Sequence, residues 1–425
     1  MNTDNKQIRP GSRTGRVTIP ASKSRAHRLL ITAALSDTPT TLECRGFSND
    51  ILATVNCLNG LGCNISVEND SLIHIVPLRR DDPVFSGPAV LPCRDSGSTL
   101  RFLLPLAGVL GASGYFKMEG RLPERPLAPY DSELTGHGMS LKPEAGNRLY
   151  FEGSLKPGKY ILPGDVSSQY ISGLLMSLPA LDGDSELKIT GNIESSDYIR
   201  MTEDALRLAG IDFSYDDRTY RIPGNQHYKM PERLSVEGDW SGAAFFLCLG
   251  ALSPEGILVS GVTPDSLQGD KAVTDILKQF GADIRYTQEG IFVKYAPLHG
   301  ITVDASGIPD LVPVISVVAA AAKGTTHITG AGRLRLKESD RLKTTSELLA
   351  SLGAVVTEGR EDLVIEGCDF PANRLRGGST DPFNDHRIAM SAAVAAAVCE
   401  NPVTVSSPEC VRKSFAGFWE IFDAL

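Results

Sequence analysis

Six stretches of this chain repeat one local pattern: a polar cluster, an apolar helix of small residues, a turn at Gly and a β-branched strand. The polar clusters are Ser22-Lys23-Ser24, Asp95-Ser96-Gly97-Ser98, Ser167-Ser168-Gln169, Asp239-Trp240-Ser241, Asp310 and Asn384-Asp385-His386-Arg387. Ser, Asp and Asn ahead of an apolar run are helix N-caps. The helix end they cap carries unpaired amides and a partial positive charge, so it favours anions. Several such ends facing one cleft would make a site for a highly charged phosphorylated molecule.

The second half of each copy is a hairpin that follows a Gly. One runs from Leu61 through Val67, turns at Asn69-Asp70 and returns as Leu72-Ile73-His74-Ile75. Others start at Gly138, Gly210, Gly281 and Gly353 and close at Tyr150, Tyr220, Phe292 and Val364. The period is roughly 70 residues, longer than the ~20–50 of ordinary solenoids. The sixth copy is split. The chain closes on an amphipathic helix, 415–425, with no room for a hairpin, so the opening segment from Gln7 to Ile19 is expected to supply the missing strands. This divides the chain into a domain of residues 1–20 plus 235–425, holding both termini, and a second of 21–234, with three units each. Two crossover segments, near Pro20-Ala21 and between Pro231 and Gly238, would form a hinge. Helices alternating with strands place the class at α/β or α+β.

A repeat by itself carries no chemistry, so the differences between copies matter more. The fifth has the run Arg333-Leu334-Arg335-Leu336-Lys337-Glu338-Ser339-Asp340-Arg341-Leu342-Lys343 after the loop Gly330-Ala331-Gly332. Read as a helix, it puts Lys337 and Arg341 one turn apart on one face. The first copy places Lys23 among free helix amides and Arg28 about one turn in. The second offers Gly97, where backbone can approach a ligand closely, then Arg101, and later Arg125 between Pro123 and Pro126. The third offers Ser167, Ser168 and Gln169 as neutral donors, then Ser195-Ser196-Asp197-Tyr198. The sixth has Asp385-His386-Arg387 and, later, Arg412-Lys413-Ser414. A lone His at a helix start is ordinarily a structural cap. Taken together, cations open or flank units in both halves. Asp310 and Glu338 lie among them as a general acid–base pair would.

Composition sets the frame. The 425 residues suffice for two or three domains, and 42% hydrophobic with 22% charged residues is ordinary for a soluble globular protein. A net charge of −9 argues against a general nucleic-acid binder and makes any local cluster of cations an exception. The eight Cys include no C-x-x-C and no zinc spacing, which reads as reduced, buried thiols in a cytoplasmic protein. No signal peptide is seen in Met1 to Arg16, and no apolar run approaches the ~20 residues of a membrane span. There is no Walker A, no G-x-G-x-x-G after a strand and no H-E-x-x-H, which disfavours an ATPase, a Rossmann dehydrogenase or a zinc hydrolase.

Over essentially its whole length the chain resembles the enolpyruvyl transferases, specifically the EPSP synthases (3-phosphoshikimate 1-carboxyvinyltransferases). The motifs that carry this are Pro20-Ala21-Ser22-Lys23-Ser24, Asp95-Ser96-Gly97-Ser98-Thr99, Glu124-Arg125-Pro126, Ser167-Ser168-Gln169, Lys337-Glu338-Ser339-Asp340-Arg341 and Asn384-Asp385-His386-Arg387. The resemblance implies two similar domains, each of three βαβαββ units in an inside-out α/β barrel. It implies transfer of the enolpyruvyl group of phosphoenolpyruvate to the 5-hydroxyl of shikimate 3-phosphate, with phosphate released. It also implies that no metal or organic cofactor takes part. Shikimate 3-phosphate would be held by Lys23, Ser24, Arg28, Ser167, Ser168, Gln169, Ser195, Asp310 and Lys337. Phosphoenolpyruvate would be held by Lys23, Gly97, Arg125, Gln169, Arg341, Arg387 and Lys413. Asp310 resembles the base on the hydroxyl and Glu338 the acid that protonates the methylene carbon, with Lys23 also catalytic. Arg101, Tyr198, Arg333, Asp385 and His386 are candidates for support.

The residue types suit that chemistry. The two substrates together bring about five negative charges, which a ring of Lys and Arg offsets. Domain closure, driven by shikimate 3-phosphate, would keep water from the cationic carbon formed on protonation. The partners expected are these two small molecules, with no nucleic acid and no membrane, and the protein is expected to be a monomer. Six positions depart from the family's usual residues: Arg333 for Asn, Ala21 for Gly, His27 for Asn, and three of the four in Asp95-Ser96-Gly97-Ser98, where the family has Asn-Ala-Gly-Thr. Two alternatives stay open. One is the sister transferase acting on UDP-N-acetylglucosamine, which typically shows Lys-Asn in place of Lys23-Ser24 and a reactive Cys where this chain has Pro123-Glu124-Arg125. The other is an inactive relative that only binds phosphorylated metabolites.

Overall fold

A computed structural model describes residues 5–79 and 87–425. The chain divides into two compact units, Lys23–Val236 and the combination of Met1–Ser22 with Glu237–Leu425.

Among the described residues, the first unit carries three four-stranded sheets. One holds Arg233–Ser235, Thr40–Glu43, Leu72–Val76 and Asn64–Glu68 in that order. The second runs Ala89–Arg94, Gly114–Met118, Arg148–Gly153, Met139–Glu144; the third runs Lys159–Pro163, Ser185–Thr190, Thr219–Ile222, Ser214–Asp216. Each sheet pairs its first two strands parallel and closes with an antiparallel hairpin. Tight hairpins need two left-handed residues in succession. Asn69 and Asp70 (φ 49° and 48°) supply them in one sheet, and Asp217 and Arg218 (φ 45° and 58°) in another.

Three helices fill the interior: Lys23–Ala34, Gly97–Val109 and Ser168–Ser177. They are buried on nearly all sides rather than on one face; every residue from Ala26 to Ala34 is buried, the polar His27, Arg28 and Thr32 included. Side-chain oxygens of Ser96 and Ser167 cap the second and third, as their sequence position indicated.

The second unit follows the same plan around Trp240–Ala251, Val312–Ala321 and His386–Ala395. Asp239 and Asp385 cap the first and third of these. Asp310 does not cap the second. It lies within a short 3₁₀ turn, Pro309–Leu311, and its carboxylate is committed elsewhere. Phe415, Phe418 and Phe422 pack into the same core as these helices. The terminal helix spans only Phe418–Asp423, because residues Pro408–Lys413 wind as 3₁₀ turns and Gly417 intervenes.

The opening segment differs from expectation in one respect. Lys6–Ile8 does complete the sixth sheet, antiparallel to Val403–Val405. Gly15–Thr18 instead runs parallel to Ile257–Ser260 in the fourth sheet, where Val17 is buried opposite Val259. Arg233–Ser235 makes the corresponding exchange, running parallel to Thr40–Glu43. Each passing strand thereby covers a sheet edge that would otherwise stand unpaired.

Candidate active site

In the unit Lys23–Val236, the first turns of the three interior helices are joined by polar side chains. Lys23 opens its helix and pairs with the buried Asp50 (Nζ to Oδ2 2.9 Å). Arg28, only 2% exposed, is held by four acceptors: Nε donates to Thr202 Oγ1 (2.7 Å), Nη1 to the Ser24 carbonyl (2.7 Å), and Nη2 to the Tyr198 carbonyl (2.8 Å) and Ser172 Oγ (3.3 Å). Its guanidinium also lies over the ring of Phe102 at 5.1 Å. Four of its five N–H donors are thus engaged, which fixes the guanidinium in place.

The second helix start is built around Gly97. A Cβ there would lie 2.7 Å from Arg101 Nη1 and 2.8 Å from Arg125 Nη1, so the absence of a side chain lets two guanidiniums approach the backbone. Arg101 donates to Gln169 Oε1 (2.7 Å), and Gln169 Nε2 donates to Ser98 Oγ (2.9 Å). Ser167 caps the third helix by accepting from the Gln169 amide (3.3 Å), with Ser168 buried beside it. Ser195 is buried with left-handed backbone (φ 53°) directly before the helix Ser196–Leu208, which carries Tyr198.

In the other unit, one guanidinium organises three carboxylates. Arg341 is 1% exposed. Its Nε and Nη2 donate to Asp385 (2.8 and 3.2 Å), Nη1 to Asp310 Oδ1 (2.8 Å) and Nη2 to Glu338 Oε2 (2.6 Å). Asp310 also faces Arg387, whose Nη2 is 3.2 Å from Oδ2, and Lys337, whose Nζ is 3.6 Å from Oδ1. Ser339 donates to Asp385 Oδ2 (3.0 Å). His386 is buried, its Nδ1 3.9 Å from Asp385 Oδ1, and Lys413 is buried at the end of its 3₁₀ turn. Arg333 stands half-buried in the 3₁₀ turn Gly332–Leu336, close enough for its charge to bear on Lys337. Lys337 and Arg341 do not share a helix. Asp340 caps a helix that begins at Arg341, which leaves Lys337 and Glu338 on the preceding loop.

The proton affinities follow from this packing. Burial pushes the Asp310 carboxyl up, but Arg387, Lys337 and Arg341 outweigh it and hold the group well below the usual carboxylate range. Burial lowers Lys337 to about 8, against the pull of Asp310. For Arg341, burial opposes charge, but Asp385, Glu338 and Asp310 raise its pKa above the ordinary arginine value.

Four residues in these clusters were not singled out from sequence. Asp50 is an ordinary acidic residue in a helix's first turn, and nothing local marks it as the partner of Lys23. Ser172 and Thr202 lie within helices and look like filler. Asp270 is buried and bonded to the Ser241 hydroxyl; burial and the charge of Asp310 raise it to about 7 against Arg387.

All eight cysteines are free thiols, and burial raises the pKa of each. Among the described residues, no group of three His, Cys, Asp or Glu could hold a metal ion, and no helix is long and apolar enough to cross a membrane.

A model of the EPSP synthase (3-phosphoshikimate 1-carboxyvinyltransferase) family matches residues 8–422. The chain belongs to the EPSP synthase family. Among curated EPSP synthases, the 3-phosphoshikimate 1-carboxyvinyltransferase of Clostridium kluyveri is 42% identical over 422 residues, 98% of this chain and 96% of the relative. That of Clostridium acetobutylicum is 41% identical over 418 residues, 97% of this chain and 95% of the relative. A solved EPSP synthase from Acinetobacter baumannii matches with a TM-score of 0.80 at 25% identity, covering 98% of this chain and 97% of the other. The enolpyruvyl transferase NikO from Streptomyces tendae matches with a TM-score of 0.77 at 18% identity, covering 99% and 96%, a likeness of fold alone. The two-domain enolpyruvyl transferase fold of the EPSP synthases is therefore the fold of this chain.

Proposed function

We propose that this chain transfers the enolpyruvyl group of phosphoenolpyruvate to the 5-hydroxyl of shikimate 3-phosphate. The products are inorganic phosphate and 5-enolpyruvylshikimate 3-phosphate, on the route to chorismate and the aromatic amino acids. It acts as a cytoplasmic monomer without metal or organic cofactor. The observation that carries the reading is the buried Arg341 bonded at once to Asp310, Glu338 and Asp385.

Lys23, Ser24, Arg28, Ser167, Ser168, Gln169, Ser195, Asp310 and Lys337 hold shikimate 3-phosphate. Lys23, Gly97, Arg125, Gln169, Arg341, Arg387 and Lys413 hold phosphoenolpyruvate. Arg101, Tyr198, Arg333, Asp385 and His386 support them. Glu338 delivers a proton to the methylene carbon, which leaves cationic character on the adjoining carbon. The 5-hydroxyl oxygen bonds there and gives its proton to Asp310. Restoring the double bond then returns a proton from the new methyl group to the Glu338 carboxylate, and the departing phosphate takes with it the proton held by Asp310.

Without substrates, three cations stabilise the ionised Asp310 and make it a weak base. Two multiply charged anions compete for the same cations and raise the proton affinity of Asp310. Asp310 becomes an effective base only once the site is loaded.

The deciding experiment measures phosphate release from phosphoenolpyruvate with shikimate 3-phosphate and with UDP-N-acetylglucosamine as acceptors. Turnover is expected with the first alone. Turnover with the second, or with neither, would overturn the assignment.

A further inference from the structure

The chain passes between its two compact units twice, at Ser22/Lys23 and at Val236/Glu237. Within the unit that holds both termini, these two passes lie side by side. Ala21 and Gly238 form an antiparallel bridge, the Ser22 amide donates to the Glu237 carbonyl (2.7 Å), and the Asp239 amide donates to the Pro20 carbonyl (2.9 Å). A single buried side chain then ties both passes together. Gln268 is 4% exposed. Its Oε1 accepts from Ser22 Oγ (3.0 Å) on one pass and from the Trp240 amide (3.0 Å) on the other. Its Nε2 donates to the Gly238 carbonyl (2.9 Å), and its own amide donates to Ser266 Oγ (3.1 Å). Two residues further on, Asp270 bonds to Ser241 and lies within reach of the charges of Asp310 and Arg387.

An uncharged amide suits this place. One planar end offers an acceptor to two donors and a donor to a carbonyl, all without charge. An apolar residue of similar size would fill the same space, so packing alone gives no reason for a buried amide. What the amide adds is register: a fully bonded buried group admits one arrangement of its partners.

We propose that Gln268 is a positioning residue for the transfer: it locks the two chain passes in one register and so sets where Lys23, the residue next to Ser22, presents its ammonium group. This rests on the functional reading above, in which Lys23 touches both substrates. The substrate contacts of Ser167, Ser168 and Gln169 belong to a helix start that Gln268 does not touch. Loss of the lock therefore acts on alignment in the transition state more than on substrate binding.

The test uses the full-length protein with Gln268→Met, Ser22→Ala and the double variant, following phosphate release with both substrates varied. Gln268→Met is expected to lower kcat about tenfold or more while each KM stays within about threefold. The double variant is expected to lose no more than Gln268→Met alone, because the two side chains act as one contact. A purely structural role would lower the unfolding midpoint and the active fraction and leave kcat per folded molecule at the parent's value. Folded variants with kcat within about twofold of the parent, or with losses confined to KM, would overturn the proposal. If Gln268→Met does not fold, kcat of Ser22→Ala decides by the same criterion. A parent protein inactive with both substrates would instead sink the functional reading, and this proposal with it.

Discussion

Arg341 and Asp385 form a two-pronged ion pair with both partners buried, Nε to Oδ2 at 2.8 Å and Nη2 to Oδ1 at 3.2 Å. Asp385 also caps its own helix through the Arg387 amide (3.0 Å). One carboxylate thus aims two of the cations that surround Asp310. Removing one partner of a buried pair leaves the other charge uncompensated. Asp385→Ala is expected to destabilise the protein by about 3–5 kcal/mol in denaturant unfolding and to lower kcat/KM for phosphoenolpyruvate. A variant as stable and as active as the parent would contradict the role.

Lys23→Met removes a cation, and Glu338→Gln removes a proton donor while keeping its shape. Each is expected to lower kcat by about 100-fold or more with the circular dichroism of a folded protein; Glu338→Gln should keep the parent's unfolding midpoint, whereas Lys23→Met leaves the buried Asp50 without its cation and should lower it. Near-parental turnover in both would mean the roles are wrongly assigned.

Lys337 loses its proton near pH 8 in the folded protein, because burial outweighs the attraction of Asp310. Binding of shikimate 3-phosphate, read as kcat/KM for that substrate, should therefore fall as pH rises above about 8. Lys337→Arg keeps its charge and should flatten that limb. The stability effect has the opposite sign. Between about pH 8 and the ordinary lysine value, the unfolded chain holds this proton and the folded chain does not, so this group's contribution to stability rises with pH. An alkaline loss of activity accompanied by unfolding would have another origin.

At Gly97 a methyl group would fall 2.7–2.8 Å from two guanidinium nitrogens. Both belong to the ends of flexible side chains, so they can move aside without unfolding the protein. Gly97→Ala is expected to raise KM for phosphoenolpyruvate severalfold while KM for shikimate 3-phosphate changes little. Equal changes in both would show that the helix start, rather than the two guanidiniums, had shifted.

The parts of this molecule that could be read from sequence are the local ones. Ser96, Ser167, Asp239 and Asp385 cap helices because a short polar side chain needs only the amides two or three residues ahead. Asn69-Asp70 makes its hairpin for an equally local reason. Asp310 looked like another cap but is captured by Lys337, Arg341 and Arg387, which reach it from elsewhere in the chain. The charged run around Lys337 carried the signal that divides it, since Asp340 is a cap residue, but charge density drew attention to one continuous helix. Asp50 and Gln268 gain significance only from partners far away in sequence, and nothing beside them announces it.

The exchange of Gly15–Thr18 and Arg233–Ser235 bears on how the polypeptide matures as it is made. Gly15–Thr18 leaves the ribosome long before Ile257–Ser260, the strand it lies against, has been translated. Arg233–Ser235, by contrast, emerges after Thr40–Glu43 and completes a body whose other strands are already present. The nascent chain therefore finishes the middle segment first while its leading end waits, and a pause in translation shortly after Ser235 would separate the two events in time.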